Sequence, residues 1–226
     1  MFAALESLKQ ELTLMREPMG TYDNPARSCK DLWLCHPDFP NGYYFIDPNG
    51  GCARDAIEVY CDLEQEGITC VKPTKSRVKP SRWKNSEVGD WFSEDPKGFR
   101  MGYNVSDPQF KFLRLLSASA SQTFTYECQN SVGWYDSKNG NYEKAVEIRG
   151  HNDQVITYKE DPDLFEPHLT LLEDGCARGN SQGKVVLELS TREVDLLPFV
   201  DYRSKDFGYQ KKQKHGFSIG QVCFQG

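Results

Sequence analysis

Eight cysteines constrain this sequence more than any other feature. They are spread over the whole chain, at positions 29, 35, 52, 61, 70, 128, 176 and 223. Their number is even and no C-x-x-C pair occurs. The pattern therefore indicates disulfides formed in an oxidising compartment, and it argues against a zinc ribbon or a thioredoxin-type site.

The beginning of the sequence gives a different indication. Met1-Phe-Ala-Ala-Leu-Glu6 lacks the basic n-region and the long apolar core of a secretory signal. Two interpretations follow: a cytosolic protein with reduced thiols, or a fragment of a longer secreted precursor. We favour the secreted fragment. Asn104-Val-Ser106 is an N-glycosylation tripeptide that is consistent with it, although such tripeptides are common by chance.

Composition excludes several classes of protein. The chain has 226 residues, of which 38% are hydrophobic and 27% charged, a balance that disordered proteins do not have. No apolar run approaches the roughly 20 residues of a membrane span. Lys+Arg 27 against Asp+Glu 33 gives a net charge of −6, the wrong sign for nucleic-acid binding through bulk charge. We therefore predict neither a nucleic-acid nor a membrane partner.

The first 17 residues form a separate segment. An a/d heptad seam runs through them, formed by Met1, Leu5, Leu8, Leu12 and Met15. The pattern predicts a coiled-coil stalk over residues 1–17, while an amphipathic helix packed on its own domain is the alternative. Pro18 and Gly20 end the helix, and residues 18–28 are predicted to be a linker, which favours the stalk.

The rest of the sequence predicts an α+β fold. Residues 29–71 are rich in cysteine, with strands at 43–46 and 56–61. Asp107-Pro108 is predicted to start a helix with Asp107 as N-cap, and Phe112, Leu113, Leu115 and Leu116 are predicted to form its apolar face. Further strands are predicted at 123–128, 144–148, 155–158, 184–189 and 217–224. Strands and helices do not alternate regularly, so a doubly wound parallel sheet is not expected.

A cation site is one interpretation of the turn between the first two predicted strands. Asp47-Pro-Asn49-Gly-Gly-Cys52-Ala-Arg-Asp55 combines two carboxylates, a side-chain amide and flexible glycines. Ca²⁺ takes roughly six to eight oxygens of this mixed kind. The segment is not an EF-hand, because the alternating ligands and the terminal Glu are missing. An Asx turn that closes a hairpin is the alternative.

The sequence gives little support for an enzyme. Gly216-Phe-Ser218-Ile-Gly220 matches the nucleophile elbow G-x-S-x-G, but an elbow needs a helix after it and acid and His partners further along. The six residues after Gly220 contain no Asp, Glu or His. The four histidines, at 36, 151, 168 and 215, have no metal-ligand spacing. We therefore predict that the chain is not an enzyme.

Several motifs resemble the C-terminal propeptide of fibrillar procollagens. The resemblance covers essentially the whole chain, and all eight cysteines of the family have a counterpart here. The motifs are Asn24-Pro-Ala-Arg-Ser-Cys29, Leu34-Cys35-His36-Pro37-Asp38, Tyr44-Phe-Ile-Asp-Pro-Asn49-Gly-Gly-Cys52-Ala-Arg-Asp55, Val59-Tyr-Cys61-Asp62, Phe112-Leu-Arg-Leu-Leu-Ser-Ala-Ser-Ala-Ser-Gln122, Tyr126-Glu-Cys128, Asp174-Gly-Cys176 and Val222-Cys223-Phe224. The second and fifth are most similar to the type V and XI branch or to an invertebrate relative of it.

The resemblance implies a trimer with a coiled-coil stalk, a disulfide-rich base at residues 29–71 and a fibrinogen-like petal with a twisted antiparallel sheet at 72–226. It also implies the intrachain disulfides Cys29–Cys61, Cys70–Cys223 and Cys128–Cys176. Cys35 of one subunit would bond to Cys52 of the next. Since both of these cysteines are present, a homotrimer is feasible, and a heterotrimer with related chains is the alternative.

The resemblance further implies site residues. Calcium would be bound by the side chains of Asp47, Asn49 and Asp55 and by the carbonyls of Gly50 and Cys52. Chain selection would lie between the sixth and seventh cysteines, where we single out Glu143, Lys144, Glu147 and Arg149 for charge pairing across subunits. An ordinary exposed strand is the alternative there. The usual glycosylation site before Cys128 is replaced by Gln122-Thr-Phe-Thr, which leaves Asn104 as the candidate.

The implied function is trimerisation and chain registration of a procollagen. The module would nucleate triple-helix folding and delay fibril assembly until a procollagen C-proteinase cleaves upstream of Met1. The protein would pass through the endoplasmic reticulum and reach the extracellular matrix. The alternative is a fibrinogen-like secreted lectin, which shares the motifs around Tyr44 and Val59 but does not need Cys35 and Cys52.

Overall fold

A computed structural model describes residues 5–7, 9, 17–83, 89–161, 167–180, 182–208 and 212–226. In these residues the fold is mostly β, with twelve strands, two short α-helices and a few helical residues at 5–7 and 9, so the α+β prediction overstated the helical share. In chain order the elements are α1 (Cys29–Cys35), β1 (Gly42–Ile46), β2 (Ile57–Asp62), β3 (Ile68–Val71), β4 (Arg77–Ser81), α2 (Asp107–Leu115), β5 (Ser119–Gln129), β6 (Glu147–Gly150), β7 (Val155–Ile156), β8 (Leu169–Asp174), β9 (Gln182–Thr191), β10 (Phe199–Arg203), β11 (Lys214–Ile219) and β12 (Val222–Gln225).

The chain divides into two compact units that are discontinuous in sequence. The first unit comprises the described residues up to Val71, together with Asn104–Ala118 and Cys223–Gly226. The second comprises Lys72–Tyr103 and Ser119–Val222. Segments 104–118 and 223–226 thus belong to the same unit as the cysteine-rich segment, although they follow it at a long distance in sequence.

In the first unit, α1 and α2 accompany the strand order β1-β2-β3-β12. Helix α1 begins where the hydroxyl of Ser28 accepts a hydrogen bond from the Asp31 N–H (3.2 Å), a typical N-cap. It buries Cys29 and Leu32 and ends at Cys35. β1 and β2 pair in register from Gly42↔Cys61 to Ile46↔Ile57. The ten residues between the strands therefore form a loop that begins and ends at the same residue pair, Ile46↔Ile57.

Helix α2 differs from its prediction in two ways. Its N-cap is Ser106, so Asp107 and Pro108 are already helical. Its buried residues are Gln109, Phe110, Leu113 and Arg114. Phe112 and Leu115, which were predicted to face the core, are exposed by 43% and 78%.

In the second unit, the strand order is β4-β11-β5-β9-β8, and β10-β6-β7 form a separate small sheet. β5 and β9 pair in register over ten residues, from Ala120↔Thr191 to Gln129↔Gln182. β5 alternates strictly between buried and partly exposed positions, as expected of a strand with one face on the core. Its buried side chains include Phe124 and Tyr126.

Aromatic side chains fill the core of the second unit. Phe124, Phe199, Tyr202 and Phe217 are fully buried, and the ring of Tyr202 lies 5.3 Å from that of Phe124 and 5.1 Å from that of Phe217. Such edge-to-face and tilted pairs stabilise a core beyond the area that they bury. Many of the aromatic residues of the sequence are thus packed together in the core of this unit.

Most of the predicted strands have counterparts, with two informative differences. The run predicted at 217–224 is two strands, β11 and β12, because the chain turns at Gly220. The strand predicted at 144–148 begins only at Glu147. β3, β4, β8 and β10 were not predicted. Residues 5–7 and 9 are helical and Leu5 is 63% exposed, while the other residues of the predicted stalk seam lie outside the described residues.

Candidate functional site

The loop between β1 and β2 contains all five predicted calcium ligands. Asp47 follows the last residue of β1, and its carbonyl accepts a hydrogen bond from the Gly50 N–H (3.1 Å). Gly50 and Gly51 both have positive φ, +67° and +94°, which L side chains rarely adopt. After Cys52, a short 3₁₀ turn at Ala53–Asp55 returns the chain to β2. The glycines thus let the loop fold back, so that its two aspartates approach each other.

A buried glutamine on α2 joins these two aspartates. The Gln109 side-chain amide donates to Asp47 Oδ1 (3.1 Å), to Asp55 Oδ2 (3.0 Å) and to the Asp55 carbonyl (2.9 Å). Its carbonyl oxygen accepts from the Asn49 backbone N–H (3.4 Å). Gln109 is fully buried, and Asp47 is only 5% exposed. The sequence analysis missed Gln109, because nothing in a helix 54 to 62 residues further along the chain points back to the loop.

The oxygen atoms of the loop fit a hard cation. The Asn49 amide nitrogen donates to Asp55 Oδ2 (2.9 Å), which leaves Asn49 Oδ1 buried and without a hydrogen-bond partner. The same loop contains two carboxylates and backbone carbonyls, the donor types that calcium prefers. Within the described ranges no group of three or more His, Cys, Asp and Glu could hold a metal ion. A cation bound here would therefore depend on amide and carbonyl oxygens as well as on the two carboxylates.

Two exposed cysteines belong to the same unit as the loop. Cys35 is the last residue of α1, and Cys52 lies inside the loop between Gly51 and Ala53. Neither takes part in an intrachain disulfide, and both are exposed. Cys52 is one residue after a glycine with positive φ and three residues before Asp55. A bond made at its sulfur would therefore act directly on the loop that contains the candidate ligands.

The other six cysteines form three disulfides, and these are the three intrachain pairs that the resemblance implies. Cys29–Cys61 connects α1 to β2, and Cys70–Cys223 connects β3 to β12 across 153 residues. Both lie in the first unit. Cys128–Cys176 connects the end of β5 to the segment after β8 in the second unit. All six sulfurs are thus used within the chain.

Three of the four residues singled out for chain selection have partners within their own unit. Lys144 Nζ lies 3.1 Å from Asp136 Oδ2 and 3.2 Å from Asp206 Oδ1. Glu147 is buried, and its carboxylate accepts from Arg203 Nε (2.6 Å). The Arg149 guanidinium lies 3.8 Å from the ring centroid of Trp91. Glu143 is exposed. Of the four, Glu143 is therefore the residue whose side chain a neighbouring molecule can reach most easily.

The Lys144 cluster borders a cavity of about 250 Å³, which is also lined by Asn130, Lys138 and Gln213. Burial by itself would lower the pKa of Lys144, but the carboxylates of Asp136 and Asp206 raise it above its ordinary value. Burial likewise opposes the ionised form of Asp136, yet hydrogen bonds from Asn139, Lys144 and two backbone N–H groups lower its pKa. Both pKa shifts favour the charged form of the residue, as expected for oppositely charged partners. We infer that this charged cluster stabilises the 136–144 segment.

The environment of Ser218 is not that of a nucleophile elbow. Ser218 lies inside β11, where it pairs with Thr125 on β5 and with Arg77 on β4. An elbow requires a sharp turn from a strand into a helix, whereas the next element in the chain is β12. His215, on the same strand, is buried beside Tyr202, whose hydroxyl lies 2.8 Å from Nδ1. Burial lowers the pKa of His215 to about 3, which keeps the ring neutral at ordinary pH.

The surface of the first unit carries two further features. Asn104 is exposed at a bend just before α2, so its side chain is accessible for glycosylation.

Seven of the eleven exposed large hydrophobic residues in the described part of the chain also belong to this unit: Leu5, Met19, Tyr22, Leu34, Tyr43, Phe112 and Leu115. In the described residues, no helix is long and apolar enough to cross a membrane.

Comparison with known proteins identifies similar sequences over the whole chain. Residues 1–224 match the family described as "Fibrillar collagen C-terminal domain". The Collagen alpha-1(II) chain of Gallus gallus is 41% identical over an alignment of 235 residues that covers 98% of this chain and 27% of the relative. The Collagen alpha-1(II) chain of Xenopus tropicalis is 40% identical, with coverage of 98% and 15%. The chain thus spans about a quarter or less of the length of these relatives.

Proposed function

Because this chain belongs to the fibrillar collagen C-terminal domain family, we propose that it is the trimerisation and chain-registration module of a fibrillar procollagen. One observation carries the proposal: six cysteines are bonded within the chain, while Cys35 and Cys52 are exposed and outside these bonds. In an oxidising compartment such thiols tend to form disulfides. We assign Cys35 of one subunit to Cys52 of the next, which closes a ring when three subunits associate.

The physical need for such a module follows from the collagen sequence repeat. Gly-X-Y triplets allow three chains to pair in many alignments, because every third residue is Gly at each of them. A folded trimer at one end of the chains would fix a common starting point for winding. The same bulky module would hinder lateral packing into fibrils until a procollagen C-proteinase removes it upstream of Met1.

Exposed apolar side chains of the first unit are the proposed contact surface for the other subunits. Leu34, Tyr43, Phe112 and Leu115 are each at least 43% exposed. A contiguous exposed apolar patch typically marks an interaction site, and we propose that these side chains form such a patch. In a trimer their burial would supply the association energy before the disulfides form. The predicted stalk, with its seam from Met1 to Met15, would add to this contact.

We assign calcium to the loop between β1 and β2. Asp47, Asn49 and Asp55 would bind it through side-chain oxygens, and Gly50 and Cys52 through backbone carbonyls. The buried Asn49 Oδ1 without a partner supports this assignment, since a cation would supply its missing interaction. When bound, the ion would hold the loop in one conformation. Because Cys52 is part of that loop, calcium would also orient a thiol used in the interchain bond.

Several finer assignments complete the proposal. Secretion through the endoplasmic reticulum to the extracellular matrix agrees with the collagen relatives and with the three disulfides. We retain the type V and XI branch, or an invertebrate relative, for the collagen type, and a homotrimer for the assembly, with a heterotrimer as the alternative. For chain selection we favour Glu143 over its three internally partnered neighbours. The family match gives the lectin alternative no support.

The experiment that tests the proposal measures both mass and covalent state. The wild-type chain, secreted from eukaryotic cells, is expected to have a trimeric mass by light scattering, and to run as a trimer on non-reducing gels and as a monomer after reduction. Cys35→Ser and Cys52→Ser should each abolish the covalent trimer, because each removes one half of the same bond. A monomeric mass for the wild type at high concentration in calcium would refute the proposal, as would a covalent trimer in either variant.

A further inference from the structure

Gln109 makes an unusual set of contacts for a helical residue. It is the third residue of α2, it is fully buried, and its side chain reaches Asp47, Asn49 and Asp55. These are the three residues that would offer side-chain oxygens to calcium. Four hydrogen bonds connect them to one amide group, at distances of 2.9 to 3.4 Å. Gln109 therefore contacts all three residues, the two aspartates through their carboxylates and Asn49 through its backbone N–H.

The donors of Gln109 compensate for charge in the loop. Asp47 and Asp55 are both acidic, and each accepts a hydrogen bond from the same nitrogen, so the two carboxylates are held near a single point. Like charges at such a distance repel each other, and N–H donors reduce that repulsion. The amide N–H groups thus reduce part of the repulsion between the two carboxylates, as a bound cation would. They allow the loop to fold before an ion arrives.

Asn49 gives an independent indication of a ligand. Its backbone N–H donates to Gln109 Oε1, and its side-chain nitrogen donates to Asp55 Oδ2. Its Oδ1 is then buried and has no hydrogen-bond partner. Buried polar atoms are rarely left unsatisfied, because the lost hydration is not replaced. A cation bound in the loop would satisfy this oxygen.

From this geometry we propose that Gln109 is the positioning residue of the calcium loop, holding Asp47, Asn49 and Asp55 together for a cation without binding it as a required ligand. The inference rests on the calcium assignment of the proposed function. It also connects the loop to α2, whose outer side chains Phe112 and Leu115 are exposed. Order in the loop would therefore be transmitted to a helix that belongs to the proposed contact surface.

The test compares matched variants in the full chain. Gln109→Met keeps the size of the side chain and removes its hydrogen bonds, whereas Gln109→Glu replaces the amide donors with a third carboxylate. Gln122→Met is the control, because Gln122 is also a buried glutamine with three hydrogen bonds, to Tyr103, Gly220 and Phe199, all in the second unit. Calcium affinity is measured by titration calorimetry, and thermal unfolding is followed in calcium and in chelator.

Gln109→Met should bind calcium about 10- to 100-fold more weakly than wild type, the usual cost of removing a residue that orients metal ligands. Gln122→Met should lower the unfolding temperature but leave the calcium affinity unchanged. Gln109→Glu should unfold earlier than wild type in chelator, and calcium should reduce this difference because it neutralises the added charge.

The outcomes separate the two proposals. If wild type takes up no calcium, the calcium part of the proposed function fails, and the role of Gln109 fails with it. If wild type binds calcium and Gln109→Met binds it equally well, only the role of Gln109 is refuted. The same conclusion holds if Gln109→Met and Gln122→Met weaken calcium binding alike, since the effect would then be a general loss of stability.

Discussion

The two units of the chain use the same kinds of residue in opposite ways. The first unit has six cysteines, of which two are exposed and outside its disulfides, and it carries most of the exposed large apolar side chains in the described residues. The second unit is larger, yet its two cysteines are bonded to each other and its aromatic rings are packed in its own core. Its charged residues Lys144 and Glu147 likewise have internal partners.

This contrast indicates a division of roles. In the second unit the two cysteines, the aromatic core and the charged residues Lys144 and Glu147 have internal partners, which suits a stable body. The first unit presents thiols and apolar groups to its surroundings, which suits the proposed assembly. The difference could not be recognised from composition, because cysteine, leucine and charged residues occur throughout the sequence. It depends on which of these side chains the fold buries.

The largest expected effect concerns the cysteines. Replacing Cys128 and Cys176 together with Ser should lower the free energy of unfolding by about 4 kcal/mol, since the bond closes a loop of 48 residues. Replacing Cys35 and Cys52 together should leave the stability of the isolated subunit nearly unchanged and should abolish covalent trimers. Chemical denaturation and non-reducing gels measure the two effects. A similar loss of stability in both double variants would remove the contrast between the units.

An effect of intermediate size is expected when the pH is lowered, because of the buried His215 in the second unit. His215 is surrounded by Tyr202, Tyr126, Trp83 and Phe207, and burial lowers its pKa to about 3 from an ordinary 6.5. As the pH falls below about 6.5, the unfolded chain takes up a proton that the folded chain cannot take up until about pH 3. The free energy of unfolding should therefore fall across this window, by about 2 kcal/mol at pH 5 relative to neutral pH.

Denaturation curves at pH 7.5 and pH 5 for wild type and for His215→Gln test this expectation. The variant should be less stable at neutral pH, and its stability should depend less on pH. An unchanged pH dependence in the variant would show that His215 does not remain neutral in the folded second unit. In that case the core around His215 would be accessible to solvent, and the second unit would differ less from the first unit than we infer.

The smallest effect on stability concerns two exposed leucines. Leu115→Ser in the first unit and Leu172→Ser in the second should each change the free energy of unfolding of the subunit by less than about 0.5 kcal/mol, because both side chains are more than half exposed. Only Leu115→Ser should weaken trimerisation, as measured by sedimentation over a range of concentrations. If Leu172→Ser weakens it equally, the contact surface is not confined to the first unit.

Local patterns predicted the elements that depend on neighbouring residues. The turn at Asp47–Gly51, the strand that contains Phe124 and Tyr126, and the start of α2 near Pro108 all follow from short-range signals. The face of α2 did not follow from them. Phe112 and Leu115 are apolar and were expected inside, but the fold buries Gln109 and Arg114 instead. What a helix buries depends on its neighbours in space, and sequence periodicity does not identify them.

The candidate site shows the same limit. The resemblance supplied Asp47, Asn49 and Asp55, while the residue that joins them is more than fifty positions away. The charged residues Lys144 and Glu147 looked available for recognition, since the sequence could not show that Asp206 and Arg203 approach them from a distant segment. Apart from the three disulfides that the resemblance implied, contacts between segments far apart in sequence are therefore the part of this molecule that only the structure supplies.

The discontinuity of the first unit has a consequence for synthesis. This unit includes β12, and the disulfide of Cys70 can form only after Cys223, 153 residues further along the chain, has been synthesised. A ribosome therefore has to translate almost to the end of this sequence before the unit with the exposed thiols can be completed. Products that terminate before Cys223 would lack β12 and the Cys70–Cys223 disulfide, so their first unit could not be completed.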